Sequence, residues 1–167
     1  WFVPQLASVV EKMVKPNEDE KQAEYKLEYF SAGVQPTPEI ALLEAKKEIK
    51  YMSSVINKFL SDSFNAIISG VSENSLEKHK KTEMLTDQMQ FEITNYLSQC
   101  TKHVLSIESS KDASDMIRIV SELESIADST FNLFIINEKI DKNTLSLEMK
   151  GQISDIYSKV NEFVQWN

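Results

Sequence analysis

Residues 124–128 read Glu124-Ser125-Ile126-Ala127-Asp128, two carboxylates four positions apart in a stretch free of proline and glycine. On an α-helix, side chains at this spacing sit one above the other on the same face. Continued in both directions, that face carries Ile117, Val120, Phe131 and Ile135, so the two acids interrupt an apolar stripe at its middle. At least one of them is expected to lose much of its water. A buried carboxylate without compensation is strongly destabilising. Three arrangements relieve it: a proton shared between the acids, a Lys or Arg from a neighbouring helix, or a metal ion. The opposing reading is that the helix rolls until both acids reach solvent.

Glu83 and Asp87 repeat the spacing on an earlier helix. There Asp87 falls nearly opposite the arc of Leu85, Met89 and Tyr96 and shares its side with Thr94, Ser98 and Thr101, which describes a solvated face. The pair gains chemical meaning only if that side meets the acids at 124 and 128. Elsewhere the chemistry is sparse, with no glycine-rich phosphate loop, no Gly-x-Ser-x-Gly elbow and no Cys-x-x-Cys pair. His79 and His103 stand far apart and are expected to serve packing or the surface. Cys100 lies on the apolar arc of its helix, as a small core residue does. Di-iron carboxylate enzymes use Glu-x-x-His pairs on facing helices, and no such pair occurs. The pattern predicts a binding or regulatory module and not an enzyme.

These side chains need long helices to place them. With only three Gly and four Pro among 167 residues, the chain lacks the turn residues that sandwiches and barrels require. Thr37-Pro38-Glu39 opens a first helix, as cap, first-turn proline and dipole-matched acid. Its seam runs Leu42, Ala45, Ile49, Met52, Ile56, Phe59, Ser63 and Ile67 in steps of three and four, up to Gly70. A second helix starts near Asn74 or Ser75 and carries Leu85, Met89, Ile93, Tyr96, Cys100, Val104 and Ile107. The third follows Ser110 and Asp112, with Asp112 and Asp115 at its start and Met116, Ile119, Val120, Leu123, Ile126, Ala127, Leu133 and Phe134 inward. A fourth, after Thr144, carries Met149, Ile153, Ile156, Val160 and Phe163. Short connections predict an all-α, antiparallel, up-and-down bundle over residues 35–167. The fourth helix is expected to close the bundle, with Ile153 and Ile156 in the common core. Failing closure, a second chain would cover its apolar face, making a homodimer.

Residues 1–34 form an N-terminal helical segment and polar linker in this reading. Its apolar start, Trp1-Phe2-Val3-Pro4, and the absence of an initiating Met suggest a cut inside a longer protein. Tyr25, Leu27, Tyr29 and Phe30 are expected to tack the linker to the bundle. No run approaches the roughly 18 apolar residues of a membrane span. A net charge of −8 disfavours nucleic acid as a partner. One cysteine permits no internal disulfide and fits a reducing compartment.

Three segments in order resemble the PhoU-like cytoplasmic domain of bacterial sodium/phosphate cotransporter family proteins. They are Tyr25-Lys26-Leu27 with Gln35-Pro36-Thr37-Pro38-Glu39-Ile40-Ala41 and 52–60, Asp87 nine residues before Tyr96-Leu97, and Leu123-Glu124-Ser125-Ile126-Ala127-Asp128. The resemblance spans roughly residues 25–164. It implies a PhoU-like three-helix repeat plus an additional helix, where the family's full domain has two repeats. It also implies a place on the cytoplasmic face of the inner membrane, beside the transmembrane region of the same polypeptide. The function implied is regulation of sodium-dependent phosphate transport according to phosphate status, through protein partners of phosphate signalling. Glu124 and Asp128 match the family's iron- or zinc-binding acids, with Asp87 and Glu83 as further ligands. Ser125, Ala127 and Ser129 replace its usual Arg, Gly and His, and four carboxylates fall short of a tight transition-metal site, so weak binding is expected. The alternative reading is a free-standing helical adaptor of phosphate signalling.

Overall fold

The computed structural model describes residues 25–28, 37–69, 75–101, 105–139 and 146–165, with side chains described up to Glu162. Within these residues the chain forms α1 (Pro38–Ser69), α2 (Ser75–Cys100), α3 (Ile107–Lys139) and α4 (Leu147–Gln165). The start of α1 is as the sequence implies: Pro38 needs no donor in the first turn, and the Ala41 N–H donates to the Thr37 carbonyl at 2.9 Å. Ser106 caps α3, its Oγ accepting from the Ser109 N–H at 3.0 Å, and Ser146 caps α4 by accepting from the Met149 N–H at 3.2 Å. The third helix therefore begins earlier than the Ser110 and Asp112 signals suggested. Asp112 lies inside it and pairs with Lys46 at 3.7 Å. Ile107, assigned to the end of the second helix, instead opens the third and is exposed.

Cross-helix contacts fix the directions. Tyr96 meets Glu44 near one end of the α1/α2 pair and Lys78 meets Asp62 near the other, so the two run antiparallel. His79 stacks on Phe134, while Asp87 faces Asp128, which makes α3 antiparallel to α2. These three helices form one packed unit around Ala45, Met52, Ile56, Met89, Ile93, Leu97, Met116, Val120 and Ala127. Along α3 the buried line is Ala113, Met116, Val120, Leu123, Ala127, Thr130, Phe134 and Asn137, alternating steps of three and four. That line corrects the expected one. Ile119 and Leu133 are exposed and Ile126 is half-buried, because the helix turns its 113–137 seam inward.

On α1 the expected seam holds at Leu42, Ala45, Met52, Ile56, Phe59 and Ser63 and departs by one residue at a single position. Glu48 is fully buried at 0 % exposure where Ile49 was expected, and Ile49 is half-buried beside it. A position and its neighbour lie only about 100° apart on a helix, so either choice continues the three-and-four alternation.

The fourth helix departs most from expectation. Among the described residues α4 packs on α1 alone, through contacts that include Phe64 against Tyr157 at a ring separation of 4.8 Å. Ile153 is half-buried and Ile156 is 57 % exposed, so α4 does not close the core. Between α3 and α4 lies an open groove lined by Phe64, Ile67, Leu133, Ile136, Ile153 and Ile156. Of residues 1–34, Tyr25 and Leu27 are half-buried against the core, and the remaining expectations there, with Tyr29 and Phe30, fall outside the described residues. No helix among the described residues is long and apolar enough to cross a membrane.

A candidate carboxylate metal centre between two helices

The α2 and α3 interface turns two modest sequence features into one cluster. On α2, Thr86, Met89, Ile93 and Leu97 point inward, and this rotation places Glu83 and Asp87 on the margin toward α3. On α3, the inward line through Val120, Leu123 and Ala127 sets Glu124 and Asp128 one position round, on the margin toward α2. Glu83, Asp87 and Asp128 thereby bring one carboxylate oxygen each within 4.8 Å of one another. Glu124 lies outside this tight group and joins it electrostatically.

Exposure decides how the cluster behaves. Glu83 and Glu124 are half-buried, and Asp87 and Asp128 reach solvent. Partial burial pushes the Glu83 carboxyl above its ordinary range, and the charges of Asp87 and Asp128 push it further, against a smaller opposing pull from Lys80. Asp87 is raised by the same loss of solvent and then by Asp128. Glu124 is raised by burial first, then by Asp128 and Asp87. The desolvation expected of the 124/128 pair thus falls on Glu124, while Asp128 stays in water. The apolar stripe that suggested deeper burial is itself marginal: Ile117, Phe131 and Ile135 are half-buried and only Val120 is fully enclosed.

The donor set fits a hard or borderline cation. Three oxygens around one ion with bonds of about 2.0–2.6 Å stand roughly 3–4.5 Å apart, and these three come within 4.8 Å of one another. Carboxylates with open solvent beside them suit manganese, magnesium or ferrous iron, whose remaining positions water can fill, better than soft metals. Glu83, Asp87 and Asp128 would hold the ion, with Glu124 supplying charge from the next position.

Two buried carboxylates escaped the sequence reading. Glu44 and Glu48, one turn apart on α1, are both enclosed. Glu44 accepts from the Tyr96 hydroxyl at 2.8 Å, and Glu48 from the Tyr25 hydroxyl at 3.0 Å. Each phenol is pushed far above its ordinary value, by burial first and then by its carboxylate partner. Their four-residue spacing was visible, but the tyrosines that satisfy them come from distant sequence. Burial also raises the Cys100 thiol, which sits half-enclosed near Tyr96, as a packing cysteine does. His79 is a packing residue as well, 3 % exposed and stacked on Phe134 at 3.7 Å, with Nδ1 on the Ser75 carbonyl at 2.7 Å. His103 lies outside the described residues.

Comparison with known proteins adds no family: no family model, curated protein or solved structure matches the chain.

Proposed function

We propose that this chain is a cation-responsive regulatory module, a PhoU-like domain attached to a sodium-dependent phosphate transporter. The observation that supports it is the convergence of Glu83, Asp87 and Asp128 from two helices onto one small volume. A divalent ion there supplies positive charge that relieves the repulsion among the acids and ties α2 to α3. Helix packing in the three-helix unit then depends on ion occupancy, which is what a regulatory domain needs in order to signal. The narrower assignment to phosphate transport rests on the ordered resemblance of residues 25–27, 35–41, 52–60, 87–97 and 123–128. Without an ion, a cluster of this charge repels phosphate, so anion contact at this site requires the metal as a bridge.

The test is a thermal titration with manganese, ferrous iron and zinc, using potassium as the control. The wild-type midpoint should rise with at least one divalent ion, and the triple variant Glu83→Gln, Asp87→Asn, Asp128→Asn should not respond. Equal curves for the two proteins would refute the metal site. Sodium-dependent phosphate uptake by cells carrying the whole protein, with and without the triple change, tests the transport assignment separately.

A second reading, a helical adaptor that binds protein partners, is favoured by the apolar groove between α3 and α4. Exposed Leu133, Ile136 and Ile156 along it present spacing suited to an amphipathic helix. Loss of partner binding on Ile136→Lys, with unchanged metal response, would favour that reading over the first.

A further inference from the structure

On the outer side of α2, next to the carboxylate cluster, lies a shallow pocket of about 370 Å³ bounded by Tyr25, Asp87, Gln88, Phe91 and Glu92. Helical spacing builds four of these five walls. Asp87 and Phe91 are four apart, and so are Gln88 and Glu92, so two adjacent rows each offer a polar group one turn from the next side chain. Tyr25 closes the pocket from the segment that precedes the bundle. Its N–H donates to Gln88 Oε1 at 3.2 Å and its hydroxyl donates to Glu48 at 3.0 Å. Tyr25 is therefore fixed at its backbone and at its hydroxyl before any ligand arrives.

The lining has a specific chemical character. Phe91 is 64 % exposed, a large aromatic ring left in water between two acids. Among the described residues, neither Asp87 nor Glu92 pairs with a Lys or Arg; the ion pairs found there join Lys46 to Asp112, Lys78 to Asp62 and Lys81 to Glu77. Aromatic faces beside unpaired carboxylates attract a cation that also has an apolar body. A hydrated metal ion gains little from Phe91 or the Tyr25 ring, whereas an alkylammonium uses both: its charge meets Asp87 and Glu92, and its methylenes cover the rings.

We propose that the pocket formed by Tyr25, Asp87, Gln88, Phe91 and Glu92 binds an alkylammonium group. The same chemistry is carried by a free small amine and by a lysine side chain of a partner protein. The site shares only Asp87 with the carboxylate cluster, so a divalent ion held there competes with the amine, while the Phe91 and Glu92 side belongs to the amine alone.

The test uses the full chain labelled with nitrogen-15, titrated with n-butylammonium chloride, with a capped Gly-Lys-Gly peptide, and with potassium chloride at matched ionic strength. Saturable shifts of the Gln88 and Phe91 amides are expected with n-butylammonium and not with potassium. Phe91→Ala and Glu92→Gln should each weaken binding by about threefold or more, the range of a single cation and aromatic contact. Both positions face solvent or the pocket, so the fold tolerates the changes, and unchanged spectra away from the pocket verify this. Glu83→Gln should leave amine binding intact while it weakens the metal response, so the two sites can fail independently. Binding of the peptide at least as tight as that of butylammonium assigns the ligand to a protein lysine; binding of butylammonium alone assigns it to a small amine. Shifts that match those of potassium chloride, or a Phe91→Ala protein that binds butylammonium like the wild type, would overturn the proposal.

Discussion

Replacing Asp128 by Asn keeps the shape of the side chain and removes the one charge that α3 contributes to the tight carboxylate group. The magnitude follows from the spacing. Oxygens of Glu83, Asp87 and Asp128 lie within 4.8 Å of one another. At that separation each pair of unit charges repels by about 0.9 kcal/mol in water, and the exposure of Asp87 and Asp128 makes the aqueous value the appropriate one. Asp128 faces two such neighbours, so the change removes about 1.7 kcal/mol at low salt, reduced to about 1 kcal/mol at physiological ionic strength by a Debye length of about 8 Å. Protonation of the raised Glu83 and Asp87 carboxyls lowers this further as the pH falls. In the metal-free protein at pH 7, Asp128→Asn should therefore raise the unfolding midpoint by about 2–4 °C, the shift expected for a chain of this size.

With metal present the order of stability should invert. An ion at ten times its dissociation constant stabilises the wild type by about 1.4 kcal/mol, and the variant, deprived of one ligand, gains much less. Differential scanning calorimetry with chelator and then with manganese reads both halves of this crossing. A variant that is no more stable than wild type with chelator, and responds to manganese equally, would show that the acids are independently solvated. The cluster would then carry no function.

The pH dependence has a definite sign. Glu83, Asp87 and Glu124 titrate above their ordinary values in the folded state, so their contribution to stability is full below the unfolded carboxylate range and is lost as pH rises through their raised values. As the pH rises from about 4, the unfolded carboxylate range, to neutrality, the metal-free wild type should lose more stability than the variant Glu83→Gln, Asp87→Asn, Glu124→Gln in parallel urea titrations. Tyr25→Phe removes a hydroxyl donor from the buried Glu48, and urea unfolding should show a loss of about 1–3 kcal/mol, as for a buried acceptor deprived of a donor. Phe134→Ala empties a fully buried site and strips His79 of its stacking partner, and should cost about 3–5 kcal/mol, whereas Ile126→Ala, at a half-buried position, should cost less than 2 kcal/mol by the same measure.

Much of this protein is determined locally, and local order is what a sequence displays. The Thr37-Pro38 start, the long uninterrupted spacing of Met52, Ile56 and Phe59, and the near absence of glycine specify four helices, and the bounds of the first, by caps, propensity and periodicity alone, while the start of α3 at Ile107 lies earlier than its Ser110 and Asp112 signals. The four-residue spacing of Glu83 with Asp87 and of Glu124 with Asp128 is equally local. What the sequence could not set is the roll of each helix about its axis, because adjacent residues such as Glu48 and Ile49 fit the same alternation. Packing decides that roll. It buried Glu48 because Tyr25, 23 residues away in sequence, supplies its donor, and it buried Glu44 because Tyr96 does the same across 52 residues. It likewise carried Asp87, solvated by its own helix's pattern, to within a few ångströms of Asp128. The fourth helix shows the same limit: its amphipathic spacing declares an apolar face, but only the tertiary arrangement shows that α1 takes part of that face and leaves Ile156 open. Periodicity reports that a side needs covering, and the identity of the cover depends on the geometry of every other helix.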